Sequence, residues 1–337
     1  MHLIVEQRAS FISKHQGRLR VSQNKQPVTE VPLLHLEQLI ITASGISISS
    51  DAVKACVEQG IPVHFLDGTG QAYASLYAAG LTGTVQTRRS QLAAETDQRS
   101  LLLVKAFSTG KLQNQINLLR YLVKNHRANQ PELATQVDNC LNSITDELLA
   151  LENLKGTTAA DLRPTILAHE GRAAHHYWSA IRHLLRADLD WPGRQTQGAT
   201  DPFNAALNYG YGILYSQVER SLVLAGLDPY GGFLHVDRPG KPSLVLDLIE
   251  EFRQAVVDRP IIGLINRKLA IEQEEDGRLT LQTRHDLAER ILQRLESPQL
   301  YEGKRQALRI ILQQQARHLA TFLRQDRPTY TPFVMPW

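Results

Sequence analysis

Cysteine is almost absent: Cys56 and Cys140 are the only two among 337 residues. Two thiols cannot build a disulfide framework or an all-cysteine metal site. Long apolar runs are missing too, since no stretch approaches the roughly 18 uninterrupted apolar residues of a membrane span. The N-terminal MHLIVEQRAS carries a short apolar run without a basic flank or a small-residue cleavage site, so no secretory signal is read there. The expectation is a soluble protein of a reducing compartment, the cytoplasm, with no membrane partner. Neither sign of charge dominates: 37 Lys and Arg face 34 Asp and Glu, a net charge of +3. That total does not by itself argue for a polyanionic partner.

What is present suits a folded protein. Apolar residues make up 42% and charged residues 21% of the chain, which excludes wholesale disorder. The length suits two domains at roughly 100–200 residues each. The charges are unevenly placed. No acid falls between Asp97 and Glu132, a span holding Arg99, Lys105, Lys111, Arg120, Lys124 and Arg127. A second tract between Glu302 and Asp326 holds Lys304, Arg305, Arg309, Arg317 and Arg324. Such tracts attract phosphate; equally, they can be solvated helix faces with acidic partners elsewhere.

The pattern of apolar residues changes along the chain. Residues 2–5, 10–14, 17–22, 28–31, 37–42 and 61–66 read as short strands, with turns at Gly17, Pro27, Pro32 and Gly45. One helix interrupts them, capped by Ser49 or Ser50, with Cys56 on its apolar stripe and Gly60 at its end. From about residue 92 the period becomes helical, with spans at 131–151, 158–167, 170–187, 203–224, 243–257, 263–272, 284–296 and 301–324. Residues 188–200 and 225–242 read as loops. The fold class expected is α+β and multidomain: a small β-rich N-terminal domain over 1–88, a link over 89–95, and a larger all-α catalytic domain over 96–337.

Three segments hold the polar residues of chemical interest. In Ala168–Trp178, His169-Glu170 begins like the H-E-x-x-H zinc motif, but position 173 is Ala, so that motif fails. Glu170 remains, with the ordinary reading of a first-turn acid on a helix dipole. In Gly226–His235 the glycines and Pro229 suggest a tight loop presenting His235, a metal ligand or a structural hydrogen-bonder. In Ser243–Arg253, Asp247 and Glu250 are three apart and neighbours on one helix face, which alone reads as solvated. Taken together, Glu, His and Asp or Glu make a ligand set suited to Mg²⁺ or Mn²⁺ and to phosphodiester chemistry.

The order E-G-x-A-A at Glu170–Ala174, N-x-x-L-N-Y-G-Y at Asn204–Tyr211, G-L-D-P-x-x-G-F-x-H at Gly226–His235 and S-L-x-x-D-L-x-E-x-F-R at Ser243–Arg253 resembles the CRISPR-associated integrase. This family is the endonuclease subunit of the CRISPR spacer-acquisition complex. The likeness extends to residues 46–70 and 110–119. It implies metal ligation by Glu170, His235 and Glu250, with Asp247 as a supporting carboxylate or alternative ligand. It also implies a homodimer paired through the N-terminal domains, two dimers flanking a small companion subunit, and insertion of short duplex DNA into the leader-proximal repeat by transesterification. DNA contacts are expected at Lys111, Arg172, His175, Arg253 and Arg267. The family usually carries Arg where His175 stands and often Phe where Trp178 stands. A stand-alone metal-dependent nuclease of branched DNA and a non-catalytic nucleic-acid scaffold are the alternative readings.

Overall fold

Period-2 patterning produces eight short strands before residue 77 in a computed structural model that describes residues 2–68, 70, 72–76, 84–185, 189, 191–196 and 198–337. They are β1 (His2–Val5), β2 (Ser10–His15), β3 (Arg18–Gln23), β4 (Gln26–Pro32), β5 (Gln38–Ile41), β6 (Ser47–Ile48), β7 (Val63–Leu66) and β8 (Ala72–Leu76). Two strands have no counterpart among those expected, the two-residue β6 and β8. Strand β8 lies at a sheet edge and is rich in Ala and Ser, with little buried apolar surface to mark it.

The strands make two sheets, ordered β4-β3-β2-β6 and β1-β5-β7-β8. The first is an antiparallel meander with β6 added in parallel; in the second, β1, β5 and β7 are parallel and β8 is antiparallel. The connection to β7 runs through α1 (Ser50–Glu58), where Ser49 Oγ accepts from the Ala52 amide at 3.2 Å. Cys56 is fully buried in the core shared by α1 and both sheets, as its place on the stripe requires. Strand β5 is buried on both faces: Leu39 and Ile41 enter this core, while Ile40 packs into the helical one. The second sheet is therefore the layer through which the two halves of the molecule pack.

The remainder is mostly helical: α2 (Thr84–Ala94), α3 (Gln98–Val123), α4 (Pro131–Glu152), α5 (Ala159–Leu184), α6 (Pro202–Leu224), α7 (Ser243–Ile249), α8 (Arg259–Asn266), α9 (Leu281–Glu296) and α10 (Leu308–Leu323). The stretch expected as a link over 89–95 is thus mostly helix α2, and Gln91 within it is buried. The adjoining 77–83 lie outside the described residues. Helix α5 runs unbroken through Pro164 where two helices were expected. A proline so near a helix start forfeits a single backbone bond, and packing compensates for it. The expected helix over 263–272 stops at Asn266. The expected helix over 301–324 begins only at Leu308, because β9 (Pro298–Tyr301) and β10 (Lys304–Ala307) form a hairpin first. Its turn residues Glu302 and Gly303 both take positive φ, +46° and +76°, the geometry of a two-residue hairpin turn. The C-terminal half, expected to be all-α, is therefore not entirely helical.

Candidate active site

Glu170 projects from the middle of α5, not from a helix start, and is 5% exposed. Glu250 ends α7 and is 4% exposed. The two carboxylates meet across one cation. The Lys111 ammonium, from α3, lies 3.0 Å from Glu170 Oε2 and 3.1 Å from Glu250 Oε2. Arg253, one turn after Glu250, adds a second positive charge at 3.2 Å from Glu250 Oε1. Burial opposes ionisation of the Glu250 carboxyl, but Arg253, Lys111 and His235 outweigh it and hold the carboxyl below its usual range. By the same balance, burial opposes the Lys111 charge, while Glu170 and Glu250 keep its pKa above the ordinary lysine value. Glu170 Oε1 is buried without a hydrogen-bond partner. A buried, unsatisfied carboxylate oxygen beside a second carboxylate is a vacant acceptor position that a cation would fill.

His235 comes to this place from the Gly226–Lys241 loop, and Asp247 is what fixes it. Asp247 is fully buried on α7 and accepts from the backbone amides of Phe233 at 2.6 Å, Leu234 at 3.0 Å and His235 at 2.9 Å. Its Oδ1 also accepts from His235 Nδ1 at 2.8 Å. An ionised carboxylate only accepts, so this bond assigns the proton to Nδ1 and leaves the Nε2 lone pair for a ligand. With four donors on its two oxygens, Asp247 is the anchor of the loop; the structure gives it a supporting place and no free oxygen for direct ligation. Other groups brace the loop from outside. Arg163 donates twice to the Phe233 carbonyl, at 2.8 and 3.1 Å, and Gln91 Nε2 donates to the carbonyls of Asp228 and Gly231. A side chain at Gly232 would meet Ser243 Cβ at 2.5 Å and its backbone carbon at 2.8 Å, so glycine lets the loop lie against the start of α7.

Glu170, Glu250 and His235 surround one locality, yet their ligand atoms do not close to coordination distance around the ammonium. Among the described residues, the group whose donor atoms all lie within 4.8 Å of one another is a different one: His2, Glu37 and Glu296. There Arg309 already neutralises both glutamates, at 3.2 and 2.8 Å. The donor set of two buried carboxylates and one oriented imidazole fits a hard divalent cation, with Lys111 standing where that charge would sit.

The remaining expected contacts are distributed differently. Arg172 points away, paired with Glu147 at 2.6 and 2.8 Å. His175 is exposed on the same helix. Arg253 is half-buried against Glu250 and lies 4.7 Å from the Tyr211 ring centroid. Arg267 is exposed at the end of α8. Several bases of the one-sign tracts have internal partners: Lys105 binds the carbonyls of Glu152 and Leu154, Arg127 pairs with Asp138, and Arg309 with Glu37 and Glu296.

Behind the carboxylates lies a layer that local reading missed. A π turn over Gln254–Asp258 follows Glu250 and buries all five residues, which places Asp258 inside. Tyr177 Oη donates to Asp258 Oδ2 at 2.7 Å and Tyr211 Oη donates to Oδ1. Burial raises the Asp258 carboxyl to about 6, against the pull of the two tyrosines and of Arg253 and Arg194. Tyr177 is seven residues after Glu170 and so on the same helix face, a spacing visible in sequence. The other signal was Lys111, a charge inside the apolar stripe Val104, Phe107, Ser108, Lys111 and Leu118 of α3.

The same architecture occurs in solved structures. The chain superposes on a casposase bound to integration product with a TM-score of 0.83 at 22% identity, covering 98% of this chain and 92% of that one. It superposes on a Cas1 protein from Thermotoga maritima with a TM-score of 0.78 at 16% identity, covering 98% of both. Sequence narrows this to one family. Residues 3–293 match the family described as CRISPR associated protein Cas1. The chain is 35% identical to a CRISPR-associated endonuclease Cas1 of Archaeoglobus fulgidus over the full length of both, and 32% identical to one of Francisella tularensis subsp. novicida over 100% of this chain and 99% of that one. The chain therefore belongs to the Cas1 family.

Proposed function

We propose that this chain is a metal-dependent DNA endonuclease and integrase that inserts short duplex DNA into a CRISPR array. The observation that carries the reading is the convergence of Glu170 and Glu250 on one cation position, beside an imidazole whose free nitrogen Asp247 selects. Glu170, Glu250 and His235 Nε2 would hold Mg²⁺ or Mn²⁺. When bound, the ion supplies charge stabilisation to phosphodiester oxygens. The reaction is a transesterification: a 3′-hydroxyl of the incoming DNA bonds to a phosphorus of the repeat, the existing P–O3′ bond breaks, and the proton moves from the attacking to the leaving oxygen. No phosphodiester is lost, so no external energy source is required. Asp247 keeps the His235 proton on Nδ1 throughout. Arg253, held by Glu250 and Tyr211, keeps positive charge beside the carboxylates. Water in place of the 3′-hydroxyl gives strand cleavage.

The relatives named as endonucleases and the casposase on its integration product favour this chemistry. A neighbour solved as a Cas6-RT-Cas1–Cas2 complex favours a small companion subunit, and the N-terminal sheets are proposed as the homodimer contact. The test is an integration assay with labelled duplex and a supercoiled plasmid bearing leader and repeat, in Mg²⁺ or Mn²⁺, with and without the companion subunit. Label joined to plasmid by the wild type and not by Glu170→Ala is the expected result. Cutting without joining would assign a stand-alone nuclease, and DNA binding with no reaction a scaffold.

A further inference from the structure

A cavity of about 500 Å³ opens where the C-terminal end of α3 meets α8 and α9, lined among others by Tyr121, His126, Arg259, Arg267, Arg290 and Arg294. Among its described lining residues there are four arginines and no carboxylate. Two of the four are held rigidly. Arg294 Nε donates to the Ala255 carbonyl at 2.8 Å and Nη1 to Ser297 Oγ at 2.9 Å, while its Nη2 is buried without a hydrogen-bond partner. Arg259 lies against a pair of packed rings, 4.7 Å from the centroid of Tyr121 and 4.8 Å from that of Trp337, and donates to Tyr121 Oη at 3.0 Å. Arg267 and Arg290 stand exposed at the mouth and pair with no described carboxylate. The charges feel one another. Burial and the Arg259 charge bring the Arg294 guanidinium down to about 10, and the Arg259 hydrogen bond, with charge from Arg259, Arg267 and Arg294, lowers the Tyr121 phenol below its usual range.

Uncompensated guanidiniums gathered around a concave surface, one with a buried donor unused, are a site built for an anion. Paired N–H groups match phosphate oxygens in geometry and charge. We propose that the Arg259, Arg267, Arg290 and Arg294 pocket binds phosphate, and specifically a backbone phosphate of DNA held at a second point away from the catalytic carboxylates. Tyr121 lies ten residues beyond Lys111 on α3, about 15 Å along the helix axis. The rise per base pair is about 3.4 Å, so that separation corresponds to four or five base pairs. The source of the phosphate rests on the DNA reading above; the pocket itself does not.

The test uses the full chain and the double variant Arg267→Ala/Arg290→Ala, both exposed positions, with Arg278→Ala as a control whose partner is Asp276 outside the pocket. Two readouts are taken. The first is the melting temperature in inorganic phosphate against chloride at equal ionic strength. Wild type and control gain an increment that the double variant lacks; any gain shared by all three is a general salt effect. The second is affinity for a random-sequence duplex as salt is raised. Losing two phosphate contacts lowers the slope of log K against log salt by about 1.8 and weakens binding at least tenfold at moderate salt. If the phosphate increment is lost but wild type binds no DNA, the pocket stands with a free phosphate compound as ligand and the DNA reading fails. If wild type binds DNA and the double variant matches it in both readouts, the pocket proposal is overturned and the catalytic reading survives.

Discussion

Lys111 sets the state of the proposed catalytic centre. Its ammonium joins two carboxylates that would otherwise repel in a buried place. Lys111→Ala removes the ammonium that bridges them and should destabilise the fold by about 3–5 kcal/mol, the range for stranding buried charge. Mn²⁺ should then raise the melting temperature of the variant more than that of the wild type, since the ion replaces the missing charge. Equal shifts in both proteins would disprove competition between lysine and metal for one position. Asp247 offers a complementary test. Asp247→Asn puts an amide, itself a donor, opposite the three loop amides and His235 Nδ1. Metal affinity should fall about 10–100-fold, as for other partners that orient a ligating histidine. A Mn²⁺ titration checks it, and Asp247→Glu will not restore binding because the longer arm displaces the loop.

At the scale of elements, the C-terminal segment is a strap across the helices that carry the site. Tyr330, Phe333 and Met335 are buried, and Phe333 stacks on Phe252 at 4.8 Å. Asn114, three residues after Lys111, accepts from the Met335 amide at 2.7 Å and donates to the Phe333 carbonyl at 2.8 Å. Glu251, next to Glu250, accepts from Tyr330 Oη at 2.6 Å, the Phe333 amide at 2.7 Å and Gln315 Nε2 at 2.8 Å. The apolar YTPFVMPW tail thus docks on its own domain. Phe333→Ala should cost about 3–5 kcal/mol, read by denaturant unfolding. Burial raises the Glu251 carboxyl to about 7. The folded state then holds a proton that the unfolded chain has released, so this contribution is present below about pH 4.5 and lost as pH rises toward 7. Glu251→Gln should flatten the fall in melting temperature between pH 5 and 8 relative to wild type. An identical pH profile in the two proteins would contradict this.

Across the whole molecule, the sheet β1-β5-β7-β8 couples the two halves. Gln38 on β5 accepts from Gln217 of α6 at 2.6 Å, and Glu6 accepts from His285 of α9 at 2.8 Å. The outer sheet is left with exposed Phe11, Val28 and, just after β4, Leu34, which is 84% exposed. These residues fit the proposed pairing of N-terminal domains. Leu34→Asp should shift the chain toward monomer in sedimentation velocity without changing its unfolding free energy by more than about 0.5 kcal/mol. A wild type that sediments as a monomer at all concentrations would defeat the pairing proposal. Among the described residues, no helix is long and apolar enough to cross a membrane.

The strand patterns of β1 to β5 and β7, the cap at Ser49 and the long helical periods depend on neighbours within a turn or a strand, so the sequence alone determined them. Glu170, His235 and Glu250 were singled out by the resemblance of their motif order to a family, since each read locally has an ordinary structural role. Elements whose signal is tertiary were not legible. The α2 helix has little amphipathic pattern and is held partly by Gln91 bonds to a loop more than 130 residues away. The β9–β10 hairpin interrupts a helical period because Glu302-Gly303 accepts positive φ. What Lys111 does was hidden for the same reason: in sequence it is one base in a basic tract, and only folding brings it between two acids from α5 and α7. Asp247 and Glu250 likewise look equivalent, three residues apart on one helix. Tertiary structure separated them, giving Asp247 four donors to anchor a loop and leaving Glu250 beside a cation, because partners distant in the chain decide what each carboxylate can still bind.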